Sequence, residues 1–386
     1  MTSIKNLELK VQELLSLLEA FKQLNSNIEL DDVFENILLQ MVQVVAAEAG
    51  TLWVLDKETK SIQAVAAYGP SASAILNMKM KIDEGIVGKV IETGQAELIE
   101  NVSGNANWSD RADHTSGFIT KSMITVPLKV KGSVLGALQL LNKKDTAFFS
   151  EQDITLAVAL ANQSALALHN SQMYDELYRM FLSMIRTLAK VLDARDPYTA
   201  GHSERVAKYS LWIAKKLGMD GAACDELYKA ALLHDIGKIG IPDEILRKPS
   251  RLTKGEYETI KQHTIIGADI LSNMEPKSAL IDAIETARSH HERLDGTGYP
   301  DQLKGADIPW FAKIVGVADA FDAMTTARSY SSGLSYKEGA AELVRCKNKL
   351  FESEVVDAFL AILEECSYEV DKYEGENGES NLYGSI

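Results

Sequence analysis

The sequence predicts two domains of different class, an α/β domain with an antiparallel sheet followed by an all-α domain, joined by one long helix. Three observations carry this reading. Residues 30 to 150 mix short β-rich runs with glycine turns; Ser150 to Asp196 contains no glycine or proline and keeps a helical rhythm; helical patterns continue from Asp196-Pro197 to about Glu365. A chain of 386 residues is too long for one ordinary core, and 46% hydrophobic content with mixed charge is that of a soluble globular protein.

In chain order, Ile4, Leu7, Val11, Leu14, Leu18 and Phe21 recur at alternating spacings of three and four. This seam in residues 1–27 reads either as a coiled coil or as an amphipathic helix packed on its own domain. Strands are expected at Thr51 to Leu55, Ile62 to Ala67, Met123 to Val130 and Val134 to Leu141, the last two forming a hairpin around "KGS". They belong to a domain spanning 28–170, in which "DEGIVGKVIETG" is a turn feeding a helix. The connecting helix over 150–196 would be roughly 70 Å long at 1.5 Å per residue, which suits a bridge between domains. The helical domain, 197–366, breaks at "GIPDEIL", "DGTGYP" and "GADIPW". The remaining stretch, 367–386, is acidic and poor in core formers, as in a flexible tail.

A net charge of −15 argues against DNA or RNA polymers as partners, because long runs of phosphate need clustered Lys and Arg. A small anion held by metal ions stays open. Cys224, Cys346 and Cys366 are odd in number and far apart, which suggests reduced thiols. With no basic region leading into an apolar core and no run of 18 apolar residues, neither a signal peptide nor a membrane span is expected, and the expected location is the cytoplasm.

Five of the seven histidines, His202, His234, His263, His290 and His291, fall within about ninety residues; His114 and His169 read as ordinary surface or helix residues. Asp235 follows His234 at once, where an apolar helix meets glycine, and Asp319 lies inside the apolar "IVGVADAFDAMTT". A carboxylate buried there unpaired would cost several kcal/mol. Singly, each histidine reads as a satisfied core residue. Together, five imidazoles and two carboxylates point to more than one divalent ion, and nitrogen and oxygen donors without thiolate favour iron or manganese. Lys238 follows His234 by four residues, on one helical face, where a cation can stabilise developing negative charge or give up a proton. Arg293 and Arg328 are further cations of this segment, able to pair with an anion.

His202, the pair His234-Asp235, and Asp319 resemble the H…HD…D order of the HD superfamily of metal-dependent phosphohydrolases. "HDIGKIGIPDEIL", "HHERLDGTGYP" and "VADAFDAMTTARSY" resemble the HD-GYP family, whose members hydrolyse cyclic di-GMP; the resemblance covers Asp196 to Phe359. It implies that His263, His290 and His291 hold a second metal beside that of the HD set, with Asp235 bridging, Tyr299 at the mouth of the site, and Arg328 ranked above Arg293 as a substrate contact. Two metals would both neutralise a phosphodiester and activate water for in-line attack.

Where relatives with three metals carry glutamate, four residues before the first histidine, this chain has Tyr198, so two metals per chain are expected. It also departs at Ser331 and at Phe351-Glu352-Ser353, positions that bear on dinucleotide affinity.

The region 28–170 resembles a GAF sensor domain, through its strand order and "VPLKVKGSVLGALQLLNKKDTAFFSEQD". Asn142, Lys143, Phe149 and Asp153 partly match the pattern of cyclic-nucleotide-binding members, but Ile154 replaces the final acid, and the preferred reading is that they fix a turn and cap a helix. A small-molecule effector is left unnamed.

The expectation is therefore a sensor-regulated phosphodiesterase opening cyclic di-GMP to pGpG or on to GMP, dimeric through its N-terminal and connecting helices. The alternatives are a phosphohydrolase of another cyclic dinucleotide or nucleotide, and a non-catalytic receptor whose metals are structural.

Overall fold

A computed structural model describes residues 30–368 apart from 58, 103, 106–112, 114–116, 145, 147, 196–200, 277–279 and 327–332. The Ile4 to Phe21 seam, His114, Tyr198, Arg328, Ser331 and the acidic tail from 369 onward lie outside the described residues. The chain divides into two compact units at Leu177/Tyr178.

The first unit is built on a six-stranded sheet, β1 (Ala47–Asp56), β2 (Ser61–Tyr68), β3 (Lys79–Lys81), β4 (Glu97–Ile99), β5 (Met123–Val130) and β6 (Ser133–Lys143). The strand order is β3-β2-β1-β6-β5-β4, and every neighbouring pair is antiparallel. Alternation along β1 sends Leu52 to one face and Trp53 to the other. On the first face, helix α1 (Leu30–Val45) buries Phe34, Ile37, Leu38, Met41, Val42 and Val45. Their i, i+3, i+4 spacing makes a single apolar stripe. The same core takes Ala157, Leu160, Ala161, Ala165 and Leu168 from the start of the long helix. On the other face, a short helix α2 (Ala72–Ile75) precedes α3 (Gly85–Thr93), which buries Ile86, Val87, Val90 and Ile91 against Trp53, Ile62 and Met123.

The residues that partly match the nucleotide-binding pattern are occupied in holding this unit together. Asn142 accepts from the amides of Lys121 and Ser122 and donates to Glu48 and to the Ile119 carbonyl. Lys143 Nζ reaches Asp153 at 2.7 Å and the Val45 carbonyl at 2.8 Å, while Asp153 accepts from the amide and hydroxyl of Ser150 at the head of the long helix. Phe149 is buried.

The long helix, α4 (Glu151–Arg195), runs for 45 residues without a break. The second unit takes its C-terminal part and adds α5 (His202–Lys216), α6 (Gly221–Leu233), a 3₁₀ turn (Ile236–Gly240), α7 (Asp243–Leu246), α8 (Lys254–Ser272), α9 (Ile281–Ser289), α10 (Trp310–Thr325), α11 (Tyr336–Cys346) and α12 (Ser353–Glu365). Local sequence sets several starts. Asp220 caps α6 through the Ala223 amide, and Thr253/Glu256 and Ser335/Glu338 form reciprocal capping boxes on α8 and α11. The core gathers Phe321 of α10, Phe359 of α12 and Tyr209 of α5, with Phe321 and Phe359 edge-to-face at 4.9 Å. Among the described residues no helix is long and apolar enough to cross a membrane.

Candidate metal centre

Helix α6 ends at Leu233, and the chain tightens into the 3₁₀ turn instead of continuing as an α-helix. Gly237 explains why this is tolerated and what it achieves. A Cβ there would stand 1.9 Å from the His263 carbonyl oxygen and 2.4 Å from the Gly267 nitrogen, so only glycine lets the turn lie directly on α8. That contact brings Asp235 beside His263, and the turn brings Lys238 Nζ to 2.5 Å from Asp235 Oδ2. The lysine and Asp235 are thus three residues apart on a 3₁₀ turn, a tighter relationship than the α-helical turn read from the sequence.

The adjacent histidines are also explained. Helix α9 stops at Ser289, and His290 and His291 leave its terminal turn with ring centroids 4.1 Å apart. The returning "GTGYP" segment crosses this turn at Gly298, where a Cβ would meet Glu292 Cα at 2.4 Å and the His291 carbonyl oxygen at 2.6 Å. Buried Glu292 fixes the loop by accepting from the amides of Asp301 and Leu303. Tyr299 then packs its ring 4.7 Å from that of His291, and burial pushes its phenol well above the usual value, so it stays neutral.

The seven proposed ligands converge as two groups. The ligand atoms of His202, His234 and Asp319 lie within 4.8 Å of one another, as do those of Asp235, His263, His290 and His291. Asp235 touches both. Its Oδ2 is 3.3 Å from His234 Nε2 and 3.6 Å from His202 Nε2, and its Oδ1 is 3.3 Å from His263 Nε2 and 3.8 Å from His290 Nε2. Asp319 spans the groups from the other side, with Oδ1 3.4 Å from His202 Nε2 and Oδ2 3.8 Å from His291 Nδ1.

Tautomers follow from the partners. Nδ1 of His234, His263 and His290 each faces a main-chain carbonyl, of Ala231, Ile260, and Thr286 with Ala287. A carbonyl only accepts, so Nδ1 carries the proton and Nε2 presents a lone pair to the site. His234 Nε2 and Asp235 Oδ1 are buried without a hydrogen-bond partner, and leaving such atoms orphaned is costly. Burial holds His263, His290 and His291 below the ordinary imidazole value, in the neutral form a ligand needs. Burial opposes ionisation of Asp235 too, but the Lys238 cation beside it outweighs burial and the carboxyl is held well below its usual range. These lone pairs and carboxylate oxygens fit divalent cations, with no thiolate among them.

Residues the sequence reading missed support this set. Asp322, one turn after Asp319, accepts from His202 Nδ1 at 2.7 Å and is gripped by Arg205 at 2.6 and 3.0 Å. Burial would lower the His202 value, but Asp235 and Asp322 outweigh it and raise the imidazole to about 9. A carboxylate behind a ligating histidine fixes its ring and strengthens it as a donor. The signal was present as a second acid in "VADAFDAM", but its partner is 120 residues away. Arg293, proposed as a substrate contact, is half turned into the protein: it donates to the His290 and Glu292 carbonyls and lies over the Phe351 ring. Nearer the mouth, Lys261 Nζ sits 5.0 and 5.5 Å above the rings of Tyr257 and Tyr299.

Histidines and aspartates placed in this way on a helical domain, which follows in sequence an α/β domain with an antiparallel sheet, define a two-part class that family comparison identifies. Residues 27–169 match the GAF domain family and residues 186–355 match the HD domain family, so the chain carries a GAF domain followed by an HD domain. It is 42% identical over 212 residues to a cyclic di-GMP phosphodiesterase of Thermotoga maritima, covering 55% of this chain and 56% of that one. It is 38% identical over 198 residues to a probable cyclic di-GMP phosphodiesterase of Vibrio cholerae, covering 48% and 45%. A 3'3'-cGAMP-specific phosphodiesterase of Vibrio cholerae shares 34% over 211 residues, covering 55% and 40%. The chain spans about half the length of the curated relatives it matches.

Proposed function

We propose that the chain is a phosphodiesterase of cyclic dinucleotides, with cyclic di-GMP as its preferred substrate, acting at a site of two divalent ions and regulated by the GAF domain. The observation that supports this most is Asp235, whose two oxygens are turned to two different groups of imidazoles. His202, His234 and Asp319 would hold one ion and His263, His290 and His291 the other, with Asp235 shared; iron or manganese suits these donors. Such ions would neutralise the phosphodiester and lower the pKa of a water in line with the leaving oxygen. Lys238 is placed to stabilise charge on a phosphate oxygen or to give its proton to the leaving oxygen. Tyr299 and Tyr257 offer ring faces for guanine and Lys261 a cation for phosphate. Arg328 is a further anion contact.

A mixed cyclic dinucleotide is the second candidate substrate, since relatives bearing that specificity in their names match about half of this chain at 34% and 39% identity. Hydrolysis by metal-loaded protein, with products resolved, should open cyclic di-GMP to pGpG with a higher kcat/KM than 3'3'-cGAMP. The reverse ranking would reassign the substrate, and recovery of both intact would reject the activity.

Regulation is proposed to run along α4 in a homodimer formed through the N-terminal seam and this helix. Met173, Leu177, Met180, Met184, Leu188 and Val191 are exposed at spacings of three and four. A second copy of the helix would cover that stripe.

A further inference from the structure

We propose that Arg195, the last residue of the connecting helix, is a positioning residue that sets the place of Asp235 and Lys238. The inference rests on the two-metal reading above but concerns a residue outside the proposed ligand set, 40 positions before Asp235.

The 3₁₀ turn that follows Asp235 ends, as a helix terminus does, in carbonyls with acceptor capacity to spare, that of Lys238 also taking the Ile241 amide at 3.1 Å. Arg195 takes them up. Its Nη1 donates to the carbonyls of Lys238 at 3.0 Å and Ile239 at 2.6 Å, its Nη2 to that of Ile241 at 2.7 Å, and its Nε to Asp243 Oδ1 at 2.9 Å, with Nη2 also 2.8 Å from that oxygen. The planar guanidinium, with five N–H groups in a fixed fan, is therefore fully used. On its opposite side the same turn is pressed on α8 at Gly237. The segment carrying Asp235 and Lys238 is held between one contact that admits only glycine and one that demands a fan of donors. Two residues earlier on α4, buried Asp193 accepts from the hydroxyl of Ser203 at 2.8 Å and from its amide at 3.3 Å. Ser203 directly follows His202. The last turn of α4 thus grips both the helix bearing His202 and the turn bearing Asp235, so a rotation or slide of α4 is delivered to both at once. The Coulomb energy of one pair is not what matters here; the geometry of four acceptors is.

The test uses the 386-residue chain as parent, Arg195→Ala and Arg195→Lys, with Arg345→Ala as a surface control, since Arg345 is exposed and pairs with Glu342 on its own helix. Hydrogen exchange read peptide by peptide should show amides of residues 236–243 exchanging at least tenfold faster in Arg195→Ala, with the sheet of the first unit and α12 unchanged. Mn2+ affinity, from titration followed by electron paramagnetic resonance, should fall about tenfold. With cyclic di-GMP, kcat should fall more than KM rises. Arg195→Lys keeps the charge but not the fan, so it should recover less than half of each effect. Exchange and Mn2+ affinity within twofold of the parent in folded Arg195→Ala would overturn the proposal. So would Arg195→Lys that matches the parent, which decides the matter if the alanine variant does not fold. A parent that leaves cyclic di-GMP intact would refute the phosphodiesterase reading, while the exchange comparison would still judge Arg195.

Discussion

The Nε2 atoms of His263 and His290 stand 3.4 Å apart, and each ring has committed its Nδ1 to a main-chain carbonyl. Two lone pairs therefore confront each other in a buried place, an arrangement that gains energy only with a cation between them. Chelation should accordingly destabilise the protein. With free Mn2+ at about a hundred times its dissociation constant, the bound ion stabilises the fold by about 2.7 kcal/mol per site. Thermal unfolding with and without chelator measures this; unchanged melting in protein shown to have been loaded would contradict it.

Replacing the shared carboxylate should weaken both groups at once. Asp235→Ala is expected to lose hydrolysis and most bound metal while keeping its helical circular dichroism. Full turnover, or metal content equal to the parent, would show that the carboxylate is not shared.

Asp322 acts behind His202, so Asp322→Asn keeps the size of the side chain but removes the charge that orients and strengthens the ring. The expected loss in metal affinity is about 10- to 100-fold, the usual range for partners behind a ligand. Competition titration with a calibrated chelator measures it, and an unchanged constant would make Asp322 a folding residue only.

Gly237→Ala places a methyl 1.9 Å from the His263 carbonyl oxygen. Two segments of main chain cannot yield as a flexible side chain can, so unfolding stability should drop by at least about 2 kcal/mol. Urea denaturation would contradict this with a loss below about 0.5 kcal/mol.

If α4 transmits a signal through discrete pairings, its phase matters. Inserting four residues between Glu176 and Leu177 rotates one part of the helix against the other by about 40°, whereas seven residues change the phase by about 20°. Basal hydrolysis should change strongly with the first and little with the second, measured on dimers of confirmed stoichiometry. Equal activities in both and in the parent would make α4 a passive spacer.

Four of the six sheet strands, the long helix and the cluster of histidines were legible because each leaves a local mark: alternation over Met123 to Val130, absence of glycine and proline from Ser150 to Asp196, and imidazoles beside glycine turns; the three-residue strands β3 and β4 are too short to leave one. What was not legible is pairing across the chain. Arg195 looks like an ordinary basic residue at a helix end, and only the fold reveals that the carbonyls of Lys238 and Ile241 lie in front of it. Asp322 differs from any other acid only because His202 arrives beside it. Nor does the sequence show that Nη1 of Arg293 donates to the carbonyls of His290 and Glu292 in its own turn. The 3₁₀ form of the Asp235 turn was likewise hidden, since it depends on α8 pressing against Gly237.

The central claim is that Asp235 joins two ions in one site. Anomalous diffraction from crystals of the Mn2+-loaded protein, recorded on both sides of the manganese edge, tests it most directly. Two peaks per chain are expected, about 3.5–4 Å apart, one beside each oxygen of Asp235, with His202, His234 and Asp319 around the first and His263, His290 and His291 around the second. A single peak, a third peak by Tyr198, or two peaks of which one leaves Asp235 untouched would contradict it.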